Sequence, residues 1–537
     1  SEGNLLPSKL ESLSIGSNTL KGGIPKSFGN ACALRLLDMF NNSLSEEFPL
    51  IVHHLSGCAK YSLENLDLGM NQINGTLPDL SIFSSLKSLY LAANKLNGEF
   101  PNDIQFPHQL EGLFIQSNSL KGVLSDYQFA NLSKLYSLYL SGNSLLSLTF
   151  TQNWVPPFQL WKVGLQSCIL GPTFPKWLQT QNEFRYFDIS NAGISDMVPK
   201  WFWTKLALRK WVSMNISCNS LHGIIPYFPT KNPYSSLILG SNQFEGPIPP
   251  FLRSSTLLDL SKNKFSGSLS FLCVGDPIGM LYQLDLSNNN LSGQIPDCWS
   301  HFKSLAFLDL SQNQLSGKIP TSMGSLHDLQ ALFLRNNNLK YDIPFSLRHC
   351  TKLVMIDIAE NNLSGSIPGW IGRKLGKLQY LSLRRNHFQG NLPLQICYLR
   401  NIQLLDLSLN KFSGQIPKCI KNFTSMAKTS SEGSPWHWYR VETIYLVGPQ
   451  SYGLTTFLTW KGSHQMFRNS GLLLLRSIDL SNNYFSEEIP KEFEILIGLI
   501  SLNLSRNNLS GEIPSNIGKL TSLEFLDISR NELVGSI

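Results

Sequence analysis

Nine cysteines are the first residues whose spacing implies chemistry. Three pairs, Cys32–Cys58, Cys273–Cys298 and Cys397–Cys419, are separated by 26, 25 and 22 residues. A zinc site needs close pairs such as C-x-x-C, which none of these shows. Disulfide bonds within each pair are the expected chemistry, and Cys168, Cys218 and Cys350 are left over. Carboxylates form a second recurrent feature, as Leu-Asp-Leu-Ser or a close variant at Asp259, Asp285, Asp309, Asp357, Asp406, Asp479 and Asp527. Such a column could bind cations or move protons. Its recurrence at one position of a repeat reads instead as a solvated strand position bonded to neighbouring serines. His53, His54 and His437 have no partners at metal spacing, and nucleophile elbows, HExxH and phosphate-binding loops are absent. The chain is therefore read as a non-enzyme without a metal or cofactor.

Binding chemistry is more legible. Tyr90, Phe114 and Tyr139 recur at one repeat position, followed by Trp161, Lys162, Arg185 and Tyr186. Aromatic side chains in register form a packing strip of the kind enriched at binding hot spots. Phe333, Arg335, Arg384 and Arg385 form a second candidate, with arginine forks suited to a partner's carboxylates. The third is an aromatic-rich stretch holding Trp436, His437, Trp438, Tyr439, Tyr445, Tyr452, Phe457, Trp460 and Lys461.

The elements that position these residues follow from a repeat of about 24 residues, LxxLxLxxNxLxGxIP, as at Leu305–Pro320. Twenty copies align on an Asn position running from Asn18 to Asn531, with Cys168 and Ala192 replacing Asn in two of them. Most steps are 23 to 25 residues, one is 29 (Asn42 to Asn71) and one is 73 (Asn410 to Asn483). Each copy reads as one rung of a solenoid. The LxL pair is a short strand with both leucines inward, and the Asn hydrogen-bonds backbone that would otherwise be buried unpaired. The fold class is an α/β repeat solenoid with a parallel sheet on the concave face. Softening is expected at Cys168 and Ala192, which lack an amide.

Three segments follow: repeats over 1–423, an insertion over 424–471, and repeats over 472–537. Val441–Val447 and Leu454–Trp460 alternate as strands, making a small folded flap over the concave face. The 29-residue step adds a smaller loop-out near Gly57–Tyr61, and the two could clamp one partner. Both ends lack the polar cap a solenoid needs, so a piece of a longer ectodomain is expected.

Composition agrees. The net charge of 44 − 37 = +7 over 537 residues is too weak to argue for nucleic acid. No apolar run approaches a membrane span, and the mean hydropathy is −0.06. Sequons at Asn41, Asn74, Asn131, Asn215, Asn290, Asn362, Asn422, Asn503 and Asn508 fit, with the disulfides, an extracellular glycoprotein.

The L-S-G-x-I-P runs at 291–296, 315–320, 363–368 and 509–514 resemble the plant extracellular leucine-rich repeat. Phe174-Pro175-Lys176-Trp177 with Val198–Trp203, Ile295-Pro296-Asp297-Cys298-Trp299, and Ile416–Ile420 before the insertion with Trp460-Lys461-Gly462 after it narrow the likeness. They resemble plant receptor-like proteins, and among these the receptors for secreted microbial cell-wall hydrolases, with His464 where members often carry an acid. The resemblance implies a plasma-membrane immune receptor with an apoplastic ectodomain. Its ligand would be a secreted microbial glycoside hydrolase, whose active site it could also block. It implies a co-receptor kinase of the somatic-embryogenesis type, meeting Asn503, Ser505, Arg506, Ser529 and Arg530, and an adaptor kinase acting through a membrane span beyond these residues. A peptide or steroid hormone receptor and a cell-wall-hydrolase inhibitor are the alternatives.

Overall fold

A computed structural model describes residues 6–428, except 211, 230–231 and 276–280, then 438–439, 450–451, 455–460, 463–468 and 475–535. The chain forms two compact units, Ser1–Phe244 and Glu245–Ile537.

The LxL motif makes the strand in each. In the first unit, ten short parallel strands run from Ser12–Ser14 to Tyr234–Ile238. Their central residues stay in register: Leu37 pairs with Leu66, Leu113 with Leu138, and Val163 with Phe187. The second unit repeats this from Ser255–Asp259 to Phe525–Asp527, again with ten strands. Because alternate residues point to opposite faces, the central leucines enter the core while their two neighbours stand on the outer face, except on the two terminal strands, where Leu13 is half-buried and Leu526 exposed. Leu89, Leu113, Leu308 and Leu332 are fully buried.

The Asn ladder stitches rung to rung. Asn337 Nδ2 donates to Leu310 O of the preceding rung (3.0 Å) and to Leu334 O of its own (3.1 Å). Its Oδ1 accepts from Leu315 N (2.9 Å), again in the preceding rung. Where the Asn is missing, the bonds are re-routed. Cys168 Sγ donates to Leu140 O (3.3 Å), and Asn219 Oδ1 accepts from both Ala192 N and Ile194 N. The softening expected there is therefore not seen as lost backbone bonds.

Just before the Asn the backbone turns left-handed, at φ +56° in Gln312 and +55° in Leu409. This conformation costs an L-residue roughly 1–2 kcal/mol. It is held by bonds such as Gln312 N to Arg335 O (2.8 Å) and Leu409 N to Ser481 O (3.0 Å). After the Ile-Pro pair the chain enters a short 3-10 helix, as at Thr321–Ser325 and Phe345–His349. Proline suits this start because its φ is pre-set and its missing N–H would have no helical partner.

Two irregular rungs bear on function. The long first step contains helices Phe48–Leu55 and Ala59–Ser62. These residues are not a free loop. A Cβ on Gly57 would come within 2.3 Å of Gly29 O, and Ser62 Oγ donates to Leu34 O (2.9 Å). The added residues thus line the layer beside the 3-10 helix Lys26–Asn30, which replaces the loop-out expected from spacing. In the second unit, strand Leu404–Asp406 pairs directly with Ser477–Asp479. Met426 is fully buried, so the regular rung continues past residue 424. Within the extra segment, Trp438–Tyr439 pairs antiparallel with Gln450–Ser451, and Thr455–Trp460 with Ser463–Arg468. The expected strand Leu454–Trp460 is found to within one residue. The one expected at 441–447 lies outside the described residues.

All three expected disulfides are present, with Cα–Cα distances of 4.9, 5.8 and 5.7 Å. Cys168 and Cys350 are buried thiols and Cys218 is exposed. No described helix is long and apolar enough to cross a membrane, and no metal-binding group occurs among the described residues.

Candidate ligand-binding surface

The first unit presents its aromatic residues on the outer face of the sheet. Strand register alone places Tyr90, Phe114 and Tyr139 side by side, since Tyr90 pairs with Phe114 and Phe114 with Tyr139. The rings stack with centroids 4.3 and 5.3 Å apart and planes 8° and 18° from parallel. Two glycines make room. A Cβ on Gly112 would meet the Phe114 ring at 2.6 Å, and one on Gly164 would meet Tyr139 at 2.5 Å. Gly164 pairs with Tyr139, and Tyr186, which pairs with Lys162, stands diagonally across from it, so the Tyr139 ring lies over Gly164 toward Tyr186. Those two rings stack at 5.7 Å. Four half-buried rings from four strands thus form one ledge.

Burial controls the phenols. It pushes the Tyr139 hydroxyl up to about 12 and raises Tyr186 and Tyr90 above their ordinary range. Nearby Asp188 adds to the rise at Tyr139 and Tyr186. All three therefore remain neutral hydrogen-bond donors. The ledge has a mixed border. Trp161 is 40% exposed, with Lys162 Nζ 5.8 Å from its ring, and Arg185 is exposed. Tyr136, exposed on the same border, stands at the repeat position of Trp161 and Arg185, one residue before the strand, and was not among the sequence candidates. Further along, Glu64 bonds Lys87 at 2.6 Å and lies 3.7 Å from Arg35, so those charges satisfy one another.

The candidate strip of the second unit differs from expectation. Phe333 and Arg335 are 7% and 6% exposed. Arg335 Nη2 donates to Glu360 Oε1 (2.7 Å), and Nη1 lies 4.0 Å from Asp357 Oδ2. Phe333 joins Phe307, Ala331, Met355, Tyr380 and Leu404 in an apolar cluster on the outer strand positions. These side chains are core-like, not an open arginine fork. Arg384 is half-buried and bonds Ser408 Oγ (2.7 Å), while Arg385 is exposed. The aspartates bond neighbouring serines as expected, as in Ser287 Oγ to Asp285 Oδ1 at 2.7 Å. Asp357, Asp406 and Asp479 are 8% exposed or less, whereas Asp259, Asp285, Asp309 and Asp527 keep intermediate exposure, so the column is solvated only in part.

Trp436, His437, Tyr445, Tyr452 and Lys461 lie outside the described residues. Trp438, Tyr439 and Trp460 are placed on strands by their backbone. Near the C-terminal end, Arg506, Ser529 and Arg530 are exposed. Asn503 and Ser505 bond each other (2.7 Å), and Ser505 is buried. Among the sequons, Asn41, Asn131, Asn290, Asn362 and Asn508 are exposed, and Asn74 and Asn422 half-buried. Asn215 and Asn503 instead accept Ser217 and Ser505 within the sheet (both 2.7 Å), where a glycan would break the ladder.

The chain matches family models described as leucine-rich repeat over residues 474–533 and in five single repeats at 9–31, 280–302, 304–326, 377–399 and 401–423. It is 39% identical over 562 aligned residues to receptor-like protein EIX2 of Solanum lycopersicum, covering 91% of this chain and 54% of the relative. Receptor-like protein EIX1 of the same plant is 38% identical over 362 residues, covering 49% of this chain and 32% of that one. The chain thus spans about half, or less, of the relatives it matches. Among solved structures, the Arabidopsis receptor kinase HAESA, in complex with the peptide hormone IDA and the co-receptor SERK1, aligns at TM-score 0.68 and 27% identity. That alignment covers 98% of this chain and 83% of HAESA.

Proposed function

Because the chain belongs to the leucine-rich-repeat receptor-like proteins of plants, we propose that it is the ligand-binding ectodomain of a cell-surface immune receptor. Its ligand is a secreted microbial protein, a glycoside hydrolase by the resemblance to hydrolase receptors. The observation that carries this reading is the four-ring ledge Tyr90, Phe114, Tyr139 and Tyr186 on the outer sheet face. Rigid rings already stacked lose little side-chain entropy when a partner covers them, which suits a protein-sized interface of roughly 1,600 Å². Binding rather than catalysis is the output, and the signal passes by recruiting a leucine-rich-repeat co-receptor kinase through Arg506, Ser529 and Arg530. Asn503 and Ser505 belong to that patch as supports. The aromatic segment around Trp436–Tyr439 and Trp460 contributes the second contact region, and occlusion of a hydrolase cleft is a further output. The mature site of action is the apoplastic side of the plasma membrane, with an adaptor kinase engaged through the span.

One observation favours a second reading, a secreted peptide as ligand: HAESA and RGFR1, the latter at TM-score 0.54 and 25% identity, were solved with peptide hormones. A binding titration against a secreted xylanase and a xyloglucanase, with enzyme activity read in parallel, separates the two. The immune-receptor reading expects tight binding that falls with Phe114→Ala and with Trp436→Ala plus Trp438→Ala. Inhibition on binding supports cleft occlusion. No binding to either enzyme transfers the weight to a peptide.

A further inference from the structure

Charge is not spread evenly along the chain. Residues 361–428 hold ten Lys and Arg but one carboxylate, Asp406, which is 8% exposed and accepts Ser408 Oγ (2.6 Å). The remaining residues carry 34 cations against 36 carboxylates, so this stretch holds more than the whole net charge of +7.

The excess gathers in the helical layer of the second unit. Three successive turns build a platform there, the α-helix Trp370–Lys374 and the 3-10 helices Leu394–Tyr398 and Lys418–Asn422. They are fixed to one another. A Cβ on Gly372 would come within 1.7 Å of Gln395 O, so the first two backbones touch. The Cys397–Cys419 disulfide joins the second turn to the third, at a Cα–Cα distance of 5.7 Å. The first turn ends in exposed Arg373 and Lys374, and the third carries exposed Lys418 and Lys421. On the middle turn Leu394 is 68% and Tyr398 57% exposed. Leu394 and Lys418 each follow the proline that opens their turn, so they hold one place on adjacent turns.

Two more cations border the platform. The loops after the turns stack, with Asn401 Nδ2 donating to Gly376 O (2.7 Å) and Ser425 N to Arg400 O (3.1 Å). This brings exposed Lys377 and Arg400 onto neighbouring loops. None of these six cations has an ion pair among the described residues. Lys352, at the repeat position of Lys377 one rung earlier, is by contrast paired with Asp328 at 2.6 Å.

Uncompensated cations flanking exposed apolar side chains suit a partner with both anionic groups and apolar faces. We propose that this platform binds an acidic polysaccharide, a polyuronate, along the direction in which the rungs stack. Each unit of such a polymer carries a carboxylate and a ring with an apolar face. The carboxylates meet the guanidinium forks of Arg373 and Arg400 and the lysine ammonium groups, and a ring face lies on Tyr398 with Leu394 beside it. An acidic polypeptide supplies the charge without a regular apolar face, and an anionic bilayer supplies it in a plane, whereas the platform is a row. The proposal rests on the extracellular setting argued above, which the disulfides suit, and not on the aromatic ledge of the other unit.

The test is a binding titration of the whole chain with polygalacturonate, in parallel with its methyl ester, with polyglutamate and with vesicles containing phosphatidylserine. Polygalacturonate should bind at low salt and weaken about tenfold or more between about 0.05 and 0.5 M NaCl, as salt screens the pairs. Esterification, which removes the charge and keeps the ring, should abolish binding. Lys374→Glu plus Lys421→Glu should cut affinity about tenfold or more. Lys9→Glu plus Lys200→Glu, an equal change of net charge on exposed residues of the first unit, should not. Tyr398→Ala should weaken polygalacturonate and leave polyglutamate unaffected. Should the reversed pair not fold, Lys374→Gln plus Lys421→Gln tests the same loss. No binding at low salt, equal losses in the two lysine pairs, or polyglutamate or vesicles bound as tightly as polygalacturonate overturns the proposal. So does binding that vanishes when N-glycans are removed, since Asn422 carries the sequon beside Lys421. Hydrolase binding through the ledge should not change in Lys374→Glu plus Lys421→Glu, so failure here leaves that reading standing.

Discussion

Replacing Asn337 by Ala tests the rung-to-rung ladder directly. The side chain is 7% exposed and works in two directions. Its amide donates to Leu310 O (3.0 Å) and Leu334 O (3.1 Å), and its Oδ1 accepts from Leu315 N (2.9 Å). The two carbonyls are not orphaned by its loss, because Leu310 O also accepts from Asn313 (3.2 Å) and Leu334 O from Asn361 (2.9 Å). Leu315 N is orphaned, on a fully buried residue. An unsatisfied buried N–H costs about 1–3 kcal/mol, and each lost bond about 0.5–1.5 kcal/mol. The expected destabilisation is about 3–4 kcal/mol, read by urea unfolding with a probe in the second unit. Solenoid stability is a sum of nearest-neighbour terms, so the first unit's transition should not move. The Leu315 amide should lose exchange protection. Asn337→Asp keeps the acceptor for Leu315 but turns a carboxylate toward carbonyl oxygens, and should be at least as damaging at pH 7. A loss below about 1 kcal/mol with Leu315 still protected would refute the reasoning.

Three further outcomes are expected. Gly372→Ala would place a Cβ 1.7 Å from Gln395 O, a backbone atom that cannot swing aside; the second unit should lose about 3 kcal/mol, visible as a lower unfolding midpoint. In native protein a thiol reagent should label Cys218 quickly. It should reach Cys168 and Cys350, whose thiols burial pushes up to about 12, only on unfolding. Gly112→Ala should displace the Phe114 ring that lies 2.6 Å from the new Cβ, weakening ligand binding at least tenfold in the titration while the unfolding midpoint moves little.

Much of this was written in the repeat. A period of 24 residues determines which residues share a column, because parallel strands stack in register without regard to side-chain identity. Hence the buried leucines, the Asn ladder, the three disulfides and the adjacency of Tyr90, Phe114 and Tyr139 were legible in advance. Kinship with receptor-like proteins was legible too, because the breaks in the repeat are themselves motifs. What the period does not encode is whether a column meets water. Phe333 and Arg335 occupy outward positions yet are buried, and burial raises the carboxyl of Asp357 beside Arg335 above its ordinary value. Nor does it encode a contact that skips a strand. Tyr186 reaches Tyr139 because Gly164, over which the Tyr139 ring lies, has no side chain, a fact of volume. The extra residues near Gly57 became helix because Gly29 and Gly57 allow two backbones to touch. Periodicity is a local property and determined the ladder. Solvent exclusion and free volume depend on residues distant in sequence, so only the tertiary structure decided which parts of the ladder stay open.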